Sequence, residues 1–222
     1  MTTFALSYGS KNTVVAKTFQ LLGFSMIPTI LAAYAMSLIP VGVYAENKVA
    51  TMVLSIVALL AGFGLMYFAA RSKNENFAVV ALMAFAGIMG ATMGPLLSST
   101  MTLKNGSTMI LNSAVLTLGT FASLTIYAYK SKKDFSFMGG FLFAGLIVLV
   151  LTSIVGILVS SSALQLTIAA FGAILFAGYM LYDVSRVLNG GETNPVFAAM
   201  SIYLDIINFF TSILRLFVLS DD

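Results

Sequence analysis

Seven stretches of this chain stay apolar for about twenty residues each, the length that lets a helix cross the hydrocarbon core of a bilayer. They are Phe19–Ile39, Val49–Ala70, Phe77–Ser98, Thr108–Tyr129, Phe135–Val159, Ala163–Val184 and Val196–Leu219. Barrel strands would alternate polar and apolar residues over about ten positions. These runs are continuous and longer, so the expected fold class is all-α, a polytopic transmembrane bundle of seven helices. Residues 1–17 read as a polar, mobile N-terminal tail, and residues 18–222 as a single seven-helix domain. Short connections favour neighbouring antiparallel helices. Charged residues make up 9% of the chain, against roughly 25% in soluble domains, so no water-facing shell can be built. The first run is also longer than the roughly 7–15 residues of a signal-peptide core, and is expected to stay in the mature protein.

The chain has no His and no Cys. Histidine catalysis, thiol catalysis, disulfides and thiolate or imidazole metal sites are thereby excluded. An enzyme is not expected, nor any cofactor, with Ca²⁺ considered only as a bound or transported ion. The net charge of +3 is too small and dispersed for nucleic-acid binding and reflects topology instead. With a cytoplasmic N-terminus, the inside segments hold Lys11, Lys17, Arg71, Lys73, Lys130, Lys132, Lys133 and Arg186, and the outside loops only Lys48 and Lys104. The C-terminus then lies outside, in the periplasm if the membrane is a bacterial inner membrane.

Ala86, Gly90 and Gly94 recur at four-residue spacing in the third run, a pattern that brings helix backbones close. Pro95 should bend or end that helix. Gly62 with Gly64, and Gly139 with Gly140, read as packing positions of the same kind.

The first five runs contain no charged residue, whereas the last two carry Asp183 and Asp205. A carboxylate at the centre of a membrane helix costs about 2.5–3.5 kcal/mol on insertion scales, so a partner or a function is expected. If Asn189-Gly190-Gly191 stops the sixth helix, Asp183 lies about 8 Å inside its cytoplasmic end. Asp205, rising on the seventh helix, lies about 13 Å up. The two carboxylates can face one another. Ser201, Asp205, Asn208, Ser212 and Arg215 form one polar stripe, expected to face the bundle interior. Tyr179 and Arg186 share the face of Asp183. A carboxyl pair at contact can share a proton, and its ionised oxygens are hard ligands suited to Ca²⁺. Arg71, Arg186 and Arg215 are the available counter-charges. The structural alternative is that each Asp caps a helix or pairs with Arg186, Arg71 or Arg215 for stability alone.

Three segments carry a resemblance. Lys132-Lys133-Asp134-Phe135-Ser136-Phe137-Met138-Gly139-Gly140, then Leu181-Tyr182-Asp183, then Ser201-Ile202-Tyr203-Leu204-Asp205-Ile206-Ile207-Asn208 together resemble the Bax inhibitor-motif family of membrane proteins. Gly190-Gly191-Glu192-Thr193-Asn194 is similar to its bacterial branch that includes the modulator of the membrane protease FtsH. The resemblance implies a seven-helix bundle with a central last helix, and a di-aspartate pH sensor, here Asp183 and Asp205, gating a Ca²⁺ leak. It also implies that an Arg ending the second helix, matched by Arg71, latches the first Asp. The modulator branch can replace both Asp positions, and this chain keeps both. A non-transporting restraint on FtsH, with residues 1–17 as its cytoplasmic handle, is the alternative function. An intramembrane aspartyl protease is a third: Tyr182-Asp183 fits one of its motifs, but Ile202-Tyr203-Leu204-Asp205 lacks the glycines of the other.

Overall fold

The computed structural model describes residues 10–72, 74–159 and 161–221. Among these, seven helical spans are long and apolar enough to cross a membrane, and no strand occurs. Two compact units are distinguished: residues 1–106 with 194–200, and residues 107–193 with 201–222.

The first unit holds α1 (Lys11–Ser37), α2 (Val41–Glu46), α3 (Lys48–Arg71), α4 (Glu75–Thr92), α5 (Gly94–Met101) and the start of α9 (Pro195–Ser220). Helix α1 begins at Lys11, so Lys11–Lys17 are helical rather than part of a tail, while residues 1–9 of that expected tail lie outside the described residues. Lys17 is anchored by a 2.8 Å ion pair with Glu75 in the first turn of α4. The buried face of α1 is Val14, Thr18, Leu22, Ser25, Thr29 and Ala33. Its hydroxyls are satisfied within the helix: Thr18 donates to the Val14 carbonyl at 2.8 Å, Ser25 to Leu22 at 2.7 Å and Thr29 to Ser25 at 2.8 Å.

The small residues of α4 meet this face. Ala86 is fully buried, and its carbonyl lies 3.1 Å from the Thr29 hydroxyl. A Cβ added at Gly90 would collide with the Thr29 carbonyl oxygen and stand 2.8 Å from the Thr29 Cα. At Gly94 it would stand 2.5 Å from the Met36 Cβ. The expected close approach is therefore present along this stripe. Gly62 likewise faces the Phe85 ring at 3.0 Å, whereas Gly64 has open space.

The third span is broken into α4 and α5, with Pro95 in the first turn of the second piece. Proline has no N–H to donate to the carbonyl four residues back, and its ring crowds that carbonyl. The helix is interrupted there and restarts in the same span. The short helix α2 had no counterpart among the expected elements. It is fastened by the Tyr44 hydroxyl donating to Met36 O at 2.7 Å, and beside it Ser98 donates to Ile39 O at 2.7 Å.

The second unit holds α6 (Gly106–Ser131, from Ser107 on), a short 3-10 turn at Ser136–Met138, α7 (Gly139–Leu158), α8 (Ser162–Asn189) and the rest of α9. Leu142, Leu149, Ile168 and Leu175 form the core between α7 and α8. Gly145 and Gly178 accept the tips of Leu175 and Leu142, each 2.8 Å from where a Cβ would be. Gly139 faces the Tyr182 hydroxyl at 2.9 Å, while Gly140 has open space. In both adjacent pairs, then, one glycine makes a close contact and the other does not. Large apolar side chains such as Phe141 and Ile157 point outward, as they would towards lipid.

Candidate functional site

The site is built at the C-terminal end of α8 and on the facing part of α9. Helix α8 stops where Gly190 takes a left-handed φ of 79°. The Gly190 N–H bonds to Val187 O at 3.3 Å and the Gly191 N–H to Arg186 O at 2.8 Å. This paired geometry satisfies the last carbonyls and turns the chain back on itself. The expected stop at Asn189-Gly190-Gly191 is the observed one.

Asp183 lies about 9 Å along the axis from the Asn189 end of α8, and Asp205 about 15 Å from the Pro195 start of α9. The two carboxyl groups lie within hydrogen-bonding reach of each other. Two carboxylates are both acceptors, so a bond between them needs a proton. Asp205 is only 5% exposed and the Asp183 side chain 13%, so the pair is largely withdrawn from the surface. The second oxygen of Asp205, Oδ2, is buried and takes no hydrogen bond from any described residue. Tyr179, one turn before Asp183, is half-buried and within electrostatic reach of both carboxyls.

Arg186 is the counter-charge that the structure places on Asp183, at 3.7 Å from Nη1 to Oδ1. Its other terminal nitrogen, Nη2, lies 3.6 Å from Glu192 Oε2, and its guanidinium lies 5.6 Å from the Tyr182 ring centroid. Arg71 belongs to the first unit, where its guanidinium stacks over Tyr67 at 3.8 Å from the centroid. Glu192 was not singled out from the sequence as a site residue. It follows the helix stop, and only the left-handed turn at Gly190 carries it back to Arg186. The legible signal was a single acid placed just beyond two glycines and a basic last turn.

The stripe on α9 is less uniform than its spacing suggests. Asp205 and Ser212 are buried, Ser201 and Asn208 half-buried, and Arg215 exposed. A repeat of four and three residues slips by about 20° per heptad relative to a straight helix. Over the two heptads from Ser201 to Arg215 the stripe rotates by about 40°, which carries Arg215 to its edge. A long Arg side chain near a helix end can also extend to the interface. Asn208 donates to Leu204 O at 2.8 Å and Ser212 to Asn208 O at 2.7 Å, both within α9. Ser212 also fills the space opposite Gly172 of α8, 2.8 Å from where a Cβ would sit. These two residues pack the seam, and the acid–base groups of the site are Asp205, Asp183, Arg186 and Glu192.

The loop before α7 is tied to the same end of α8. Ser185 Oγ accepts from Phe135 N at 3.0 Å and donates towards Lys133 O at 3.3 Å. Asn189 Nδ2 donates to Lys133 O at 3.2 Å. Within the loop, Asp134 accepts from the Ser136 N–H at 2.9 Å and its hydroxyl at 2.5 Å, which holds the Asp134 carboxyl below its ordinary range.

Among the described residues no three acidic side chains gather as a metal-binding group. A resident Ca²⁺ site takes 6–8 oxygen ligands. The pair itself offers only a few carboxyl oxygens towards such a set.

The chain matches the family described as "Inhibitor of apoptosis-promoting Bax1" over residues 11–222. An "Uncharacterized membrane protein" of Vibrio cholerae is 35% identical over 206 residues, covering 92% of this chain and 88% of that protein. The Campylobacter jejuni protein Cj0236c is 32% identical over 202 residues, covering 91% and 86%. The Escherichia coli protein named "Modulator of FtsH protease YccA" is 31% identical over 163 residues, covering 72% of this chain and 73% of that protein.

Proposed function

Because this chain belongs to the Bax inhibitor family of multi-pass membrane proteins, we propose that it is a proton-responsive leak for Ca²⁺, gated by Asp183 and Asp205. The membrane is a bacterial inner membrane in this reading, with the N-terminus cytoplasmic and the C-terminus periplasmic. The observation that carries the reading is the close approach of the two carboxyl groups inside the last two spans, with Asp205 Oδ2 buried and without a donor among the described residues.

While the pair holds a shared proton, the hydrogen bond ties α8 to α9. Loss of that proton leaves two anions in contact where little water reaches them. They repel, and a divalent cation relieves the repulsion. Ca²⁺ here is cargo, met by the carboxyl oxygens of Asp183 and Asp205. Flux should therefore rise as pH rises through the titration of the coupled pair.

The test is Ca²⁺ entry into proteoliposomes at several pH values for the wild type, Asp183→Asn and Asp205→Asn. The wild type should show flux that increases with pH. Asp205→Asn should flatten that dependence. Asp183→Asn should abolish it and alter the basal rate by releasing Arg186. Superimposable profiles in all three, or no flux at any pH, would remove the gate. The second reading would then be preferred: a membrane partner that restrains FtsH without moving ions, supported by the 31% identity to the protein named as its modulator.

A further inference from the structure

The Arg186 side chain is divided between two acids. Its Nη1 lies 3.7 Å from Asp183 and its Nη2 lies 3.6 Å from Glu192. A committed Arg–carboxylate pair is bidentate, with both nitrogens on one carboxylate at about 2.7–2.9 Å. Neither acid has that pair here. Glu192 is itself held: its Oε1 accepts from the Thr193 N–H at 2.9 Å, which leaves Oε2 turned to the guanidinium. The backbone that delivers it is the left-handed Gly190 and the Gly191–Arg186 hydrogen bond. The guanidinium thus lies between the two acids, in the order Asp205, Asp183, Arg186, Glu192.

We infer that Glu192 is a positioning residue: it draws the Arg186 guanidinium back from Asp183, leaving the Asp183 carboxyl to Asp205. This deepens the gate reading above by naming what governs the counter-charge. With Glu192 neutral, Arg186 can close both nitrogens onto Asp183. A carboxylate so paired stays ionised, and the proton shared with Asp205 is lost more easily. Two effects share this sign: the stronger Arg186 pairing and the removal of a negative charge near Asp183. The charged and titratable groups around the pair within this unit are Tyr179, Tyr182, Arg186 and Glu192.

The experiment reads the protonated carboxyl of the pair directly. Infrared difference spectra of the purified full chain in lipid are recorded across pH, and the band is identified by its loss in Asp205→Asn. In Glu192→Gln, nearly isosteric and in a loop, the midpoint of that band should fall by about one pH unit, a tenfold change in proton concentration. Glu192→Asp, which keeps the charge on a shorter arm, should lie between. In an Arg186→Gln background the Glu192→Gln shift should shrink to less than half, because the residue through which it acts is gone. An unmoved midpoint in Glu192→Gln, or a shift of the same size with Arg186 absent, would overturn the inference. Since the band needs no transport, a chain that shifts but carries no Ca²⁺ sinks the leak and keeps this role. A chain that leaks but does not shift does the reverse.

Discussion

Gly90→Ala tests the closest helix contact in the first unit. The new Cβ would overlap the Thr29 carbonyl oxygen and sit 2.8 Å and 2.9 Å from the Thr29 Cα and carbonyl carbon. Comfortable carbon contacts are about 3.5–4.0 Å, so α1 and α4 must part by about 1 Å. A gap of that size forfeits a quarter to a half of each contact it opens, and it stretches the approach of Thr29 Oγ1 to Ala86 O. Overpacking of this kind costs about 1–3 kcal/mol. The substitution also improves helix propensity by up to about 1 kcal/mol, which would mask part of the loss. Gly87→Ala corrects for this. It lies on the same helix, gains the same propensity, and places its Cβ 3.8 Å from Pro28, an ordinary contact. The difference between the two variants isolates packing and should be about 1–3 kcal/mol against Gly90→Ala. Reversible unfolding in mixed micelles measures it. Equal stability of the two variants would refute the close approach and the reading of the small-residue stripe with it.

Ser136→Ala removes the hydroxyl donor to Asp134 and keeps the backbone N–H bond. The Asp134 carboxyl, held low by both bonds, should titrate closer to the ordinary carboxylate range, as followed by carbon NMR of labelled Asp. Because the folded value is depressed, the contribution of this turn is present at neutral pH. It is lost as pH falls through the folded titration, and the variant should lose part of that acid dependence. Reporter fusions at each terminus test orientation: a C-terminal fusion active only in the cytoplasm would invert the topology read from the lysines and arginines.

Much of the fold was legible because lipid imposes one dominant requirement, length of apolar run. All seven runs reappear as spans. What the runs could not give was their ends. Helix α1 starts at Lys11 rather than near Phe19, because Thr18 hides its hydroxyl on the Val14 carbonyl and Lys17 is taken up by Glu75. The break at Pro95 was legible from covalent chemistry alone. The glycine pairs were half legible: spacing tells which residues share a face, but not which has a neighbour across it, as Gly62 and Gly64 show.

At the site, depth matched Asp183 to Asp205 because helical rise is regular. Arg186 was legible for the same reason, three residues on. Arg215 comes to the edge of its stripe because a repeat of four and three slowly rotates around a straight helix. Glu192 escaped because its contact depends on one backbone torsion, the positive φ of Gly190, rather than on any periodicity. Asn208 and Ser212, expected in the polar seam, close their own hydrogen bonds within α9.

The hydroxyl face of α1 has a consequence for how that segment enters a bilayer. By mean hydropathy it ranks lowest of the seven spans. Thr18, Ser25 and Thr29 are each scored in such a count as though the hydroxyl were solvated. In the helix each donates to a carbonyl of its own backbone, so on this buried face what remains to be transferred is largely hydrocarbon. In an extended chain the same groups would have to leave water unpaired, at a few kcal/mol apiece by transfer scales. For this segment, partitioning into lipid and winding into a helix are therefore a single thermodynamic step.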